Sequence, residues 1–421
     1  MQQFQIPYGR KTLTANFPDH LQVDQVTLQP IAAAADPIAE VSQALAAPLG
    51  GVTLEKFSGA KSVAIAINDK TRPVPHHHLL PPLLERLEAV GIKRESITLI
   101  IASGTHPPMT PDEFSSVLPT PLVERYRVVS HNCDDETSLI DLGKTDLGTP
   151  LIVNKIFSQA DVRMALGNIE PHQFAGFSGG VKSAAIGLMS RATINSHHAL
   201  MLHPDSQLGR YDGNPARMEV EEIGKRLGVH FALNAILNDH KEIVRVLAGD
   251  PLEVMRVGVP LSRKICQVSV KSPYDLVVAS PGGHPKDINI YQSQKGFAHA
   301  TMITRKGGTV IVTAACPEGS GSSGYENWAK QVSSYHEVFE RFKQEGFRVG
   351  PHKAYQIARD ASRVNLLWLS DMDFDFAKKL LLNPVISLDE AIAKALSDLP
   401  SNAHIAMMPI ANATIPVLRT Q

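Results

Sequence analysis

The chain has 421 residues, a formal net charge of −1, and is 43% apolar and 20% charged. That length suits two domains of ordinary size rather than one core. The near-zero charge argues against a nucleic-acid or anionic-membrane binder, and three scattered cysteines, Cys133, Cys266 and Cys316, argue against a disulfide framework or a thiolate zinc site. The N-terminus MQQFQIPYGRK lacks an apolar signal segment, and no run approaches the ~18–20 apolar residues of a membrane helix, so the expected compartment is the cytoplasm.

Residues 1–30 alternate polar and apolar residues with Pro and Gly, as a small β start does. Residues 31–50 read as a helix with a break at Asp36-Pro37. SVAIAIND (62–69) is a short buried strand ending in polar residues, followed by a helix over 78–92 that stops near Gly91. ITLIIASGTH (97–106) is another buried strand that ends in a polar loop. PDEFSSVL reads as a short helix, YRVVSHN as a third strand, and residues 149–170 as two more strands around a turn. Short apolar strands alternating with helices predict a mostly parallel sheet with helices on both faces. Ligands of such sheets bind beyond the carboxyl ends of the strands.

The pattern restarts at YDLVVASPGGHPKD (274–287), a strand running into a Gly-rich loop. A helix over 291–304, a strand with a Gly/Ser loop over 307–324, and strands at 365–371 and 403–409 follow. The expected fold class is α/β: two α/β domains, residues 1–268 and 269–421, with mostly parallel sheets and the active site in the cleft between them. The last residues are expected to be able to return to the first domain.

Polar clusters sit at the predicted strand ends. The densest is GNIEPHQFAGFSGGVK (167–182), continuing to Asn195-Ser196-His197-His198. Glycine at this density means a backbone that bends sharply or lets another group come close. GFSGGVKS looks like a phosphate loop but fails the G-x-x-x-x-G-K-[ST] spacing, because Val181 separates Gly180 from Lys182. Its amides suit an anion at a helix start; a plain structural turn with a surface lysine reads nearly as well. Asp69-Lys70-Thr71-Arg72-Pro73 offers a guanidinium matched to carboxylate or phosphate, or an ordinary Asp–Arg pair. His106 and His172 each lie in a loop at a strand end, and imidazole is the side chain best matched to proton transfer near neutral pH. The run His76-His77-His78 reads as a solvated turn. Tyr291 and Lys295 are four apart on a predicted helix and share a face, with Gln292 beside them.

Taken in order, IPYGRK, NDKTRP, SGTH, PHQFAGFSGGVKS with NSHH, and GGHPKDINIYQSQK resemble the nickel-dependent lactate racemase family over nearly the whole chain. The resemblance implies a racemase or epimerase that inverts C2 of a 2-hydroxy acid, using a nickel pincer nucleotide. It implies covalent attachment of that cofactor at Lys182 and His198 as the protein ligand to nickel, with His197 second in rank. It implies Asp69, Thr71, Gly176, Ser178, Gly179 and Gly180 around the nucleotide. His106 and His172 match the acid and base, and Arg72 and Lys295 match positions that hold the substrate, with Tyr291 and Gln292 beside them. In the implied scheme one histidine takes the hydroxyl proton while hydride leaves C2, and the resulting 2-keto acid accepts hydride on its other face.

The implied partners are a small 2-hydroxy acid and the cofactor-biosynthesis proteins that load the chain, with no nucleic acid and no membrane; the oligomeric state stays open. The chain departs from the family pattern at Pro107-Pro108, at the SAAIG segment after Lys182, and at Gly350–Ala354. A basic His352-Lys353 pair in the last segment would suit a substrate with a second carboxylate, such as malate, or a sugar acid. Two rivals remain on sequence grounds: a nickel-nucleotide binding protein without turnover, and a phosphate-ligand enzyme with no covalent cofactor.

Overall fold

The computed structural model describes residues 1–418. It is an α/β protein with two six-stranded, mostly parallel sheets. The chain divides into two compact units, Pro30–Ile265 and a second unit made of Met1–Gln29 together with the chain from Cys266 onward.

In the unit Pro30–Ile265 the strand order is Ile243–Gly249, Phe231–Leu237, Val162–Asn168, Val63–Asn68, Ile97–Ala102, Arg127–Ser130. Only the first pair is antiparallel. The central strands read VAIAIN and ITLIIA, continuous apolar runs, because both faces of a parallel sheet are covered. The helix His76–Ala89 covers one face with Leu79, Leu80, Leu83, Leu84 and Leu87, which join Val63, Ile65, Leu99 and Ile101 in one core. Each such leucine stabilises the fold by roughly 1.5–3 kcal/mol through burial. His76 heads this helix and is buried, with Nδ1 at 3.0 Å from the Val117 carbonyl. The expectation of a solvated His76–His78 turn is therefore wrong for His76: the helix starts earlier than its apolar periodicity shows. PDEFSSVL forms a 3₁₀ turn, Pro111–Ser116, opened by a Thr110/Glu113 capping box.

The second sheet has the order Pro384–Val385, Asn365–Leu369, Thr304–Thr313, Tyr274–Ala279, His404–Met408, Gln22–Gln25, all parallel. Strand alternation sends Val277, Val310 and Val312 to one core and Leu276, Val278 and Ile311 to the other. The hairpin of Gln2–Tyr8 and Lys11–Phe17 adds Ile6, Tyr8, Ala15 and Phe17 to the second core. This places the first 29 residues with the C-terminal unit rather than in an unbroken domain 1–268: their apolar face and the Gln22–Gln25 strand are completed there. The end of the described chain stays there too, since Ile415–Leu418 pairs with Gln267–Val270.

Candidate active site

The loop after Val63–Asn68 folds back on itself. The Thr71 amide and hydroxyl both donate to Asp69 Oδ1, at 3.1 and 2.6 Å. Arg72 Nη1 donates to the Thr71 hydroxyl oxygen at 3.1 Å. The second carboxylate oxygen, Asp69 Oδ2, lies 2.6 Å from His106 Nδ1. Asp69 is buried. Burial pushes its carboxyl up, but His106, Arg72 and the Thr71 hydroxyl outweigh that and hold it at about 2. An ionised carboxylate only accepts, so His106 carries a proton on Nδ1. Asp69 and Thr71, expected around a nucleotide, are engaged with His106, Arg72 and each other.

His172 is set the opposite way. The Ala175 amide donates to His172 Nδ1 at 3.2 Å, which leaves the ring proton on Nε2. His172 sits in a two-residue ladder with Gly176, and Phe174 lies between it and the downstream histidines. The Phe174 ring centroid is 4.8 Å from that of His172 and 5.1 Å from that of His198. His197 and His198 follow one another on the helix Arg191–Ala199. His197 is fully buried, with Nε2 at 2.8 Å from the Ala216 carbonyl and Nδ1 at 3.1 Å from His198 Nδ1. Burial, with the positive charges of Lys182 and Arg217, holds the His197 pKa down at about 4 against its bond to Ala216.

Lys182 opens a four-residue helix, Lys182–Ala185. The glycines before it answer to the protein itself. A Cβ on Gly176, at φ +71°, would lie 1.8 Å from the Arg210 carbonyl oxygen; one on Gly179 would meet Ile169, and one on Gly180 Met255, each at 2.7 Å. The loop amides are engaged as well: Ser178 N donates to Glu170 O at 2.8 Å, Gly180 N to Asn234 Oδ1 at 2.7 Å and Lys182 N to Gly179 O at 3.3 Å. These bonds brace the loop, and the amides of Ser178 and Gly180 are already engaged within the chain.

The bracing residues carry no local signal in the sequence. Arg217, fully buried, donates to the carbonyls of Phe177 and Gly179 and pairs with Glu221. Asn214 caps the helix Pro215–Arg226 and donates to Phe174 O at 2.8 Å. Asn214-Pro215 is a recognisable helix start, but nothing local pairs Arg217 with a glycine loop some forty residues earlier. Two further bonds tie the loops together. Gly104 N donates to Gly187 O at 3.0 Å, and Asn168 Nδ2 donates to Pro73 O at 3.1 Å.

Asn68 Oδ1, Asn168 Oδ1 and Ser183 Oγ are among the buried side-chain atoms of this unit that have no hydrogen-bond partner among the described residues, as are His76 Nε2, Ser206 Oγ and Glu221 Oε2. The two asparagines end the adjacent strands Val63–Asn68 and Val162–Asn168, where a parallel sheet holds its ligands, and Ser183 follows Lys182. Buried polar atoms without partners are rare in a finished structure. A nucleotide carries hydroxyl donors that such acceptors lack. Among the described residues no group of three or more His, Cys, Asp or Glu could hold a metal ion.

Tyr291, Gln292 and Lys295 lie together on the helix Ile290–Thr301 of the other unit. Lys295 Nζ donates to Gln292 Oε1 at 2.6 Å. The Tyr291 ring packs edge-on to His352, with centroids 5.7 Å apart, and Lys353 Nζ lies 4.6 Å from its centre. The idea of a basic His352-Lys353 pair needs correction. His352 is buried, its Nδ1 accepts from Gly350 N, and burial with the charge of Lys353 drives its pKa well below the usual value. Lys353 is the cation of the two, held by Gln294 Oε1 at 3.0 Å and Gln356 Oε1 at 3.1 Å.

Residues 8–209 match the family model described as the lactate racemase N-terminal domain, and residues 269–415 match the lactate racemase C-terminal domain. The lactate racemase of Thermoanaerobacterium thermosaccharolyticum is 29% identical over 419 residues, covering 97% of this chain and 98% of that protein. The lactate racemase of Lactiplantibacillus plantarum is 29% identical over 414 residues, covering 96% and 97%. The solved lactate racemase apoprotein from Thermoanaerobacterium thermosaccharolyticum superposes with a TM-score of 0.89 at 28% identity, over the full length of both chains. A Thermotoga maritima protein superposes at 0.69 over 93% of this chain with 16% identity, a likeness of fold alone. No helix among the described residues is long and apolar enough to cross a membrane.

Proposed function

The chain belongs to the lactate racemase family, and on that premise we propose that it inverts C2 of a small 2-hydroxy acid with a nickel pincer nucleotide tethered at Lys182. The observation that carries this reading is the opposite setting of two imidazoles in one unit: His106 with its Nδ1 proton on Asp69, His172 with its Nδ1 filled by the Ala175 amide. A racemase must handle the hydroxyl proton of either hand of its substrate.

Lys182 would carry the cofactor, His198 would ligate its nickel, and Asn68, Asn168 and Ser183 would meet its hydroxyls. When bound, the cofactor supplies a reversible hydride acceptor for C2. The chain supplies the rest. His106 Nε2 would take the hydroxyl proton and return it to the same oxygen when C2 is reduced again, the carboxylate of Asp69 stabilising the imidazolium in between. His172 presents Nε2–H to the substrate oxygen and holds it during reorientation. Arg72 would hold the substrate carboxylate with its planar fork. In the other unit Lys295, whose Nζ donates to Gln292 Oε1, is a candidate substrate-binding cation, with Tyr291 on the same helix.

The phosphate-ligand rival loses support because the amides of Ser178, Gly180 and Lys182 already donate within the chain. Binding without turnover leaves the Asp69–His106 pair without a task. The test is co-expression with cofactor-making proteins, then intact mass and chiral analysis of a panel holding lactate, malate and aldonates. A gain of mass that Lys182→Ala abolishes, with racemisation of one panel member, is the expected result. An unmodified chain under those conditions would refute the tethered-cofactor reading.

A further inference from the structure

Consecutive residues on a helix point about 100° apart, so neighbouring side chains seldom meet beyond their first atoms. His197 and His198 do meet, through the two Nδ1 atoms, the ring nitrogens nearest the backbone, at 3.1 Å. Two lone pairs cannot face each other at that distance, so one of these nitrogens carries a proton. The Ala216 carbonyl decides which. It accepts only, and His197 Nε2 lies 2.8 Å from it, so the proton of His197 is on Nε2. His197 is fully buried, and a neutral imidazole has one ring proton, which that bond already places on Nε2. Nδ1 of His197 is therefore an acceptor, and the shared proton belongs to His198.

We propose that His197 is a positioning residue that fixes His198 as its Nδ1–H tautomer, so that the nitrogen His198 offers to nickel is Nε2. The inference deepens the reading of His198 as the nickel ligand and rests on it. The relay runs from the Ala216 carbonyl to His197 to His198, and each partner is held in place. Ala216 is fully buried on the helix Pro215–Arg226, whose start Asn214 caps. The Phe174 ring packs edge-on to His198 with an interplanar angle of 68° and fixes its plane. A metal-binding imidazole whose other nitrogen donates to a fixed acceptor is better oriented and more basic. Here the acceptor is a second imidazole, and its own tautomer is set by a backbone carbonyl.

The test is long-range ¹H–¹⁵N NMR on the full chain, without cofactor, labelled at histidine and held near pH 7.5. His198 is assigned by the signals lost in His198→Asn. The expected spectrum shows His198 protonated on Nδ1 and bare on Nε2. A wild-type His198 protonated on Nε2 would overturn the proposal outright, without recourse to any variant. His197→Asn keeps an acceptor oxygen near the place of Nδ1 and should preserve the His198 tautomer. His197→Leu should return His198 to a mixture of both forms, and an unchanged tautomer there would show that His197 does not set it. The ligand assignment is tested apart from this. In protein loaded by co-expression, His198→Ala should keep the mass adduct at Lys182 and lose its nickel by metal analysis. Nickel retained by that variant would refute His198 as ligand, whatever the tautomer of the wild-type chain.

Discussion

His106 Nδ1 and the Asp69 carboxylate lie 2.6 Å apart, joining the loops that follow two adjacent parallel strands. Asp69→Asn keeps the size of the group and removes its charge. We expect turnover of cofactor-loaded protein to fall by roughly 10²–10⁴-fold, with the circular dichroism spectrum and the Lys182 adduct unchanged. Unaltered turnover would remove Asp69 from the proton path.

The same carboxylate makes stability depend on acid. Its folded pKa of about 2 is below the ordinary 3.8, so the unfolded chain binds the proton first as pH falls. The contribution is whole above pH 3.8 and disappears as pH drops through 2. It amounts to roughly 2 kcal/mol. Urea unfolding of wild type and Asp69→Asn should differ by about that much at pH 7 and converge toward pH 2.

Buried histidines act at a higher pH. His76 and His299 are held at about 4 by burial, against an ordinary 6.5. Between those values the unfolded chain takes up protons that the folded rings refuse, so stability is full above pH 6.5 and declines toward pH 4. Each ring accounts for at most about 3 kcal/mol. The unfolding midpoint should fall on going from pH 7.5 to 4.5, and less steeply in His299→Gln. Equal slopes would show that His299 does not titrate with unfolding.

Arg217 is the central brace of the glycine loop, through the carbonyls of Phe177 and Gly179. Arg217→Met takes the guanidinium away from those carbonyls and from Glu221, leaving only Lys182 N on Gly179 O and the Tyr211 hydroxyl on Glu221 among the described donors. The expected loss of stability is roughly 3 kcal/mol, together with loss of the Lys182 adduct in co-expressed protein. An intact adduct on a stable Arg217→Met chain would mean that the loop holds its shape by other means.

Two glycines separate strain from collision. At Gly104, where φ is +57°, no described atom lies within 4 Å of an added methyl, whereas a methyl on Gly176 would lie 1.8 Å from Arg210 O. Gly104→Ala should cost about 1 kcal/mol through backbone strain alone. Gly176→Ala should cost more than about 3 kcal/mol, because backbone must shift as well. Thermal melts that rank the two variants the other way would refute the assignment.

The buried strands were legible because parallel strands covered on both faces are written as unbroken apolar runs, as in VAIAIN and ITLIIA. The polar ends of those runs gave Asp69, His106 and the glycine loop as candidates, since that is where such sheets meet ligands. The strand Gln22–Gln25 was not legible. QVDQ has no apolar run, and its place depends on pairing with His404–Met408 at the other end of the chain.

Residue types and spacing by themselves determined an α/β chain, its restart near residue 270, and the polar clusters at its strand ends. Only the tertiary structure decided what those residues do to one another. Asp69 stands against His106 Nδ1, and His197 Nδ1 stands against His198 Nδ1. At Gly176, Gly179 and Gly180 an added Cβ would meet Arg210, Ile169 and Met255. The physical reason is range: an apolar period is local, whereas the direction of a hydrogen bond depends on which atom, from anywhere in the chain, stands about three ångströms away.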